Sequence, residues 1–145
     1  MHSYSLVYVH VVFATWNRTP FLNHATRPDL HAYVAGTARN LGFSDVHVGG
    51  VEDHMHLVGR LAPTQALSNV IGQLKKSSGD WLRERIPRFR WQRGFGGFSV
   101  SPDRIRAVQR YVKRQEEHHK KRTFREELEA LCSEIGIAID DLELL

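Results

Sequence analysis

The sequence predicts an α+β fold: a four-stranded antiparallel sheet with two helices on one face, followed by two more helices. Three observations predict it. Four short stretches are rich in β-branched and aromatic residues or alternate apolar with polar. Two stretches between them switch to helical spacing. Pro, Gly and Asn mark the switches.

Ser5 to Thr15 carries Val7, Tyr8, Val9, Val11, Val12 and Phe13 and reads as the first strand. Trp16 to Asn23 is a polar, Pro-containing connection. Over Pro28 to Leu41, Leu30, Val34, Ala38 and Leu41 recur at helical spacing, and Gly42 follows as a C-terminal cap. Asp45 to Val51 is a second strand, with Gly49-Gly50 marking a turn or bulge near its end. His54 to Leu61 is a third strand, closing a hairpin with the second. Pro63-Thr64 opens a second helix with an apolar stripe of Leu67, Val70, Ile71, Leu74 and Leu82, and Pro87 ends that region. Phe95 to Ser101 is the fourth strand. Ser101-Pro102 puts a capping hydroxyl before a proline and starts a helix with Ile105, Val108 and Val112 on its apolar side. Thr123 and Glu126 have the form of a capping box and begin a last, acidic helix. The order β-α-β-β-α-β, then a helix carrying Tyr111 and a short final helix, is a ferredoxin-like arrangement.

The 145 residues suit one domain over 1–145, with no repeat, low-complexity segment or linker to split it. An apolar content of 41% and a charged content of 25% belong to a soluble globular chain. The single cysteine, Cys132, excludes an internal disulfide framework and a cysteine-rich zinc site, and fits a reducing cytoplasm. Leu6 to Ala14 is too short to span a membrane and lacks the basic flank of a signal peptide. The net charge of +4 conceals an asymmetry: residues 81–125 hold fourteen Lys/Arg against four Asp/Glu, whereas residues 126–145 hold no Lys/Arg and seven Asp/Glu. A basic block of that density is a polyanion surface or a solvated face. Its Trp81, Phe89, Trp91, Phe95 and Phe98 favour single-stranded nucleic acid, which needs cations for phosphates and flat faces for bases. Some of them must also build the core, so none is assigned to a base.

Two motifs carry chemistry. In Asp53-His54-Met55-His56-Leu57, strand alternation turns both imidazoles to one face, with Met55, Leu57 and Asp53 facing away. Such a pair is a hydrogen-bonded surface pair or a metal-ligand pair. In Tyr111-Val112-Lys113-Arg114-Gln115, helical spacing puts a phenol and an amide one turn apart. The bland readings are a core aromatic and a solvent-facing amide. The chemical reading is a nucleophile beside a neutral oxygen ligand, suited to Mg²⁺ or Mn²⁺. A phenol with a pKa of about 10 needs a polarised phosphate and nearby cations to attack at neutral pH.

Taken together, these motifs resemble the His-hydrophobic-His and Tyr-x-x-x-Gln motifs of the single-tyrosine HUH transposases of small bacterial insertion sequences. The resemblance covers nearly the whole chain. It includes Val11 to Thr15, Glu52 to Val58, Lys75 to Ser78, Trp91 to Ser101, Tyr111 to His119 and Thr123 to Glu127. It implies a metal-dependent enzyme acting on single-stranded DNA, with His54, His56 and Gln115 as ligands of Mg²⁺ or Mn²⁺ and Tyr111 as nucleophile. Attack would leave a 5′-phosphotyrosine and a free 3′-OH, and the reverse reaction would rejoin DNA without ATP. It also implies recognition of hairpins at element ends, with Lys75, Lys76, Arg83 and Arg93 as DNA-contact candidates. A homodimer in which the tyrosine helix of one subunit completes the site of the other is implied as well. Two other readings stand beside it. A host-adapted HUH nuclease would keep the chemistry without mobilising an element. A non-catalytic ferredoxin-like binder would use Arg93-Gly94-Phe95-Gly96-Gly97-Phe98 in the manner of an RNA-recognition strand. Against that binder, Gly97 displaces the second phenylalanine by one position and the segment is the last strand, not the third.

Overall fold

A computed structural model describes residues 3–120 and 122–135. Lys121 and the acidic stretch from residue 136, both part of the charge pattern above, lie outside the described residues. The strands are β1 (Tyr8–Ala14), β2 (Phe43–Gly50), β3 (His54–Leu61) and β4 (Gly96–Val100). The helices are α1 (Arg27–Asn40), α2 (Leu67–Arg83), α3 (Ile105–Lys113), α4 (Gln115–His119) and α5 (Phe124–Ile135). The sheet order is β2-β3-β1-β4 and every pairing is antiparallel. This is the ferredoxin-like core with added C-terminal helices.

Alternation sorts each strand between two faces. Val9, Val11 and Phe13 of β1 and Met55 and Leu57 of β3 pack with Leu30, Val34 and Ala38 of α1 and Val70, Ile71, Leu74 and Leu82 of α2. This is the main core. The opposite face receives His10, Val12 and Ala14 from β1 and His54, His56 and Val58 from β3. There α3 packs through Ile105 and Val112 on Val58, and α5 through Phe124 and Leu128 on Val12 and Ala14.

Gly42 ends α1 as expected, at φ 109°, a conformation costly for a residue with a Cβ. The Gly49-Gly50 pair differs from its expected role as a turn signal. Both residues are paired in β2, opposite His56 and Met55. A Cβ built on Gly49 would lie 1.8 Å from the carbonyl oxygen of Val112. The glycine therefore seats the backbone of α3 directly on the sheet.

Two helix expectations are corrected. Ser101 does not cap α3 with its side chain. Arg104 N–H bonds the Ser101 carbonyl at 2.9 Å in a turn, and the helix starts at Ile105 without a side-chain cap. The chain needs that turn to leave β4 and cross to the other face. Tyr111 and Gln115 do not share one continuous helix either. Arg114, at φ −103° and ψ 27°, separates α3 from α4. The Gln115 side chain donates to the Tyr111 carbonyl at 3.2 Å, which also accepts the Arg114 backbone N–H at 3.2 Å, and so ties α4 across the break. The hydroxyl half of the expected Thr123–Glu126 capping box forms, with Glu126 N–H bonded to Thr123 Oγ1 at 3.2 Å, while the Glu126 carboxylate accepts from that hydroxyl at 3.1 Å.

The aromatics of the basic block are structural. Phe89 is in the main core, Trp81, Trp91 and Phe95 pack against it, and Phe98 packs against the α5 cluster. Among the described residues, no helix is long and apolar enough to cross a membrane.

Candidate metal centre

β3 begins at His54, so His54 and His56 leave the sheet together on the α3/α5 face, and both are fully buried. α4 adds His119, one turn beyond Gln115, and α5 adds Glu127. One ligand atom from each of His54, His56, His119 and Glu127 lies within 4.8 Å of all the others. His54 Nε2 is 3.0 Å from His119 Nε2. Glu127 Oε1 is 2.7 Å from His56 Nε2 and 3.6 Å from His54 Nε2, and Glu127 Oε2 is 3.0 Å from His119 Nε2. Donors bound to one metal at ~2.0–2.1 Å sit about 3.3 Å apart at a tetrahedral angle. The observed separations straddle that figure.

The hydrogen bonds behind the rings aim them. His54 Nδ1 lies 2.8 Å from Asp53 Oδ1, His56 Nδ1 lies 2.8 Å from His10 Nε2, and His119 Nδ1 lies 2.9 Å from the Arg122 carbonyl. With Nδ1–H donating in each ring, all three Nε2 lone pairs converge on one point beside a carboxylate. Acceptors gathered at such distances need a cation among them, and this outer set of partners is what orients metal-binding imidazoles. The residues present fit a divalent metal.

Asp53 corrects the alternation argument. It precedes the first residue of β3, so its carboxylate is free to turn back onto His54 Nδ1 rather than point away. Arg18 lies 3.7 Å from its other oxygen.

Electrostatics agree with the geometry. Burial lowers His10 to about 3 and His56 to about 4, so both are neutral near pH 7. Burial also opposes charge on His54, but hydrogen bonds to Asp53 and Glu127 carry its pKa above the usual value. Burial opposes charge on Glu127 too, yet with no metal bound and protons on the Nε2 atoms instead, hydrogen bonds from His119, His54 and His56 hold it well below the usual carboxylate range.

Tyr111 stands beside this cluster in the same chain. Its ring centroid is 5.6 Å from that of His56 and 6.0 Å from that of His10. Burial, the charge of Glu127 and a hydrogen bond to it push the phenol above its usual pKa. A cleft of about 390 Å³ between α3 and α5 opens onto Tyr111 and Glu127, with Arg104 and Arg122 along its wall.

The residues read from sequence therefore separate. His54, His56 and Tyr111 come together. Gln115 is buried at the edge of the cluster, its Oε1 3.0 Å from His119 Nε2. Lys75 is half-buried and donates to the carbonyls of Gln92 at 2.5 Å and Gly94 at 2.7 Å. Arg83 is tied to Asp80 at 2.7 Å and the Phe89 carbonyl at 3.3 Å. Lys76 and Arg93 are exposed. Arg106, Arg110, Lys113 and Arg114 line a second cleft with His47, which sequence reasoning did not single out.

His10, His119 and Glu127 were also missed. His119 continues the spacing Tyr111, Gln115, His119, which was a usable signal. Glu127 interrupts the apolar stripe Phe124, Leu128, Leu131, and a carboxylate there needs a buried partner. His10 gave no signal beyond its place on β1.

Residues 3–115 match the family model described as transposase IS200 like. Among solved structures, one relative is a proposed transposase from Deinococcus radiodurans R1, at 19% identity, covering 77% of this chain and 93% of that one with a TM-score of 0.63. Another is a REP-associated tyrosine transposase bound to a REP hairpin, at 16% identity, covering 77% and 70% of the two chains with a TM-score of 0.53. No curated protein matches the chain. The two structures share the fold at low identity, and the match over residues 3–115 makes the chain a member of the IS200-like transposase family.

Proposed function

We propose that the protein is a metal-dependent single-stranded DNA strand transferase with Tyr111 as nucleophile. The carrying observation is the phenol of Tyr111 standing against the His54–His56 cluster inside one chain. A bound divalent metal would polarise the scissile phosphate as a Lewis acid. His54 and His56 would hold it, with His119 and Glu127 in reach and Gln115 at the edge. Three imidazoles and a carboxylate favour Mn²⁺ over Mg²⁺, which prefers oxygen ligands and keeps its waters. As Tyr111 Oη bonds to phosphorus, the bond to the 3′ oxygen breaks. The phenol gives up a proton and the 3′ oxygen gains one. One phosphodiester is exchanged for another, which is why no ATP is needed.

The relative solved with a REP hairpin supports hairpin ends as the substrate class. Arg104 and Arg122 are suited to guide the phosphate along the cleft. Lys76, Arg93, the α3 residues Arg106, Arg110 and Lys113, and Arg114 at the break that follows are suited to the flanking backbone. The family resemblance supports a homodimer, although Tyr111 reaches its histidines without a second subunit. A non-catalytic binder is disfavoured because Phe95 and Phe98 are committed to packing.

The test is a denaturing gel of labelled single-stranded DNA carrying the flanks of the gene, with Mn²⁺ or with chelator. A metal-dependent adduct, lost in Tyr111→Phe, His54→Ala and His56→Ala, is expected. Adduct formation by Tyr111→Phe would sink the nucleophile assignment. Active protein that stays monomeric at working concentration would remove the dimer.

A further inference from the structure

His119 and Glu127 both lie beyond the last residue matched to the family model. Glu127 holds the central place in the cluster. One carboxylate oxygen faces His56 and His54, the other faces His119, and the group lines the same cleft as Tyr111. A phosphodiester poised for attack by Tyr111 has matching needs. It is a delocalised monoanion with two terminal oxygens, one directed at the metal donors, and its phosphorus must meet the phenol oxygen. Carboxylate and phosphodiester cannot share that position. The cleft between α3 and α5 brings Arg104 and Arg122, which attract an anion, onto the same walls as Tyr111 and Glu127.

The attachment of α5 suits a part that leaves. Phe124 stacks on His54 with centroids 3.9 Å apart, and Arg18 lies over its other side, 4.7 Å from the ring centroid. Phe124 and Leu128 also share a small cluster with Val12 and Ala14, with Phe98 beside it, separate from the main core. A helix docked through a small cluster outside the main core can open while the rest of the fold stays intact.

We infer that Glu127 is an intramolecular metal ligand standing in the place of the scissile phosphate, so that α5 must withdraw its carboxylate before DNA is cleaved. The inference rests on reading His54 and His56 as a metal site beside a tyrosine nucleophile. The full-length protein, Glu127→Gln and Glu127→Ala are each loaded with Co²⁺ and followed by visible absorption. Both variants should bind Co²⁺ about tenfold or more weakly, since even lost supporting contacts cost that much. Inorganic phosphate should shift the Co²⁺ spectrum of the variants and leave the unsubstituted protein unchanged. At saturating Mn²⁺, both variants should form DNA adducts several-fold faster. Glu127→Gln keeps the size of the side chain and so guards against misfolding of Glu127→Ala.

Unchanged Co²⁺ affinity in the variants would overturn the ligand role. A phosphate shift in the unsubstituted protein would overturn the occupied position. Slower adduct formation by the variants at saturating metal would make Glu127 a participant in cleavage and overturn the gate. If no protein formed an adduct, the strand-transferase reading would fail, and the Co²⁺ and phosphate results would still decide the role of Glu127.

Discussion

On the α1/α2 face, β1 and β3 present Val9, Val11, Phe13, Met55 and Leu57 to two long helices. On the other face the same strands present His10, His54 and His56 alongside Val12, Ala14 and Val58. Both faces are buried, yet they are held differently. The first gains from apolar area alone. On the second, each imidazole buried without partners would cost stability, and each is paired instead: His10 with His56, His54 with Asp53, His119 with the Arg122 carbonyl. Two small apolar clusters flank that polar centre. Stability is concentrated on one side of the sheet and chemistry on the other, which fits the general finding that local rules are relaxed at functional sites and compensated elsewhere.

The contrast is open to breakage, beginning with the largest effect. Phe13→Ala, in the middle of the main core, should lower unfolding free energy by about 3–5 kcal/mol in urea titrations. A loss below ~1 kcal/mol would show that the first face does not dominate stability. Gly49→Ala strikes the second face. Its Cβ would meet the Val112 carbonyl, so α3 must shift and carry Tyr111 with it. Misplacing a nucleophile by about 1 Å costs on the order of 100-fold in rate. Adduct formation should fall by about that factor, with far-UV circular dichroism unchanged. Wild-type adduct rates would mean that the close seat does not position the tyrosine.

Lys75→Met tests whether a basic residue of α2 serves the fold or the DNA. Losing charged hydrogen bonds to the Gln92 and Gly94 carbonyls should cost about 2 kcal/mol of stability. Single-strand affinity should change less than for Lys76→Ala or Arg93→Ala. The opposite ranking would return Lys75 to the DNA surface.

The smallest effect is in the pH dependence of the metal-free protein. His10 is held at about 3 and His31 at about 4, both chiefly by burial. Below about 6.5 the unfolded chain takes protons that these folded-state rings refuse, so stability falls as pH drops from 6.5 toward 4. His54 acts in the opposite direction: its raised pKa gives stability that is present below about 6.5 and lost as pH rises through its folded value. His10→Gln should flatten the acid slope by no more than about 1.4 kcal/mol per pH unit, read from urea unfolding at pH 5 and 7 in chelator. An unaltered slope would mean that His10 is not held neutral.

The fold was legible because its signals are local. Alternation in β1 and β3, the stripes of α1 and α2 and the cap at Gly42 each depend on residues close in sequence. The His54–His56 pair was legible for the same reason, since a strand alone turns both rings to one side. The break at Arg114 was not, because the spacing of Tyr111 and Gln115 suits an unbroken helix equally well. Nor was the turn at Ser101, which follows from where α3 must land.

The amino-acid sequence alone determined the order of elements, which face each strand residue takes, and that two imidazoles and a phenol were available. Tertiary structure decided which residues complete the centre. His10, His119 and Glu127 come from a central strand and two C-terminal helices, and their ring nitrogens and carboxylate meet only when α3 settles on Gly49 and α5 covers β1. Periodicity reports the direction of a side chain relative to its own backbone. The distance between donors on different elements depends on packing and on the partners that orient each ring.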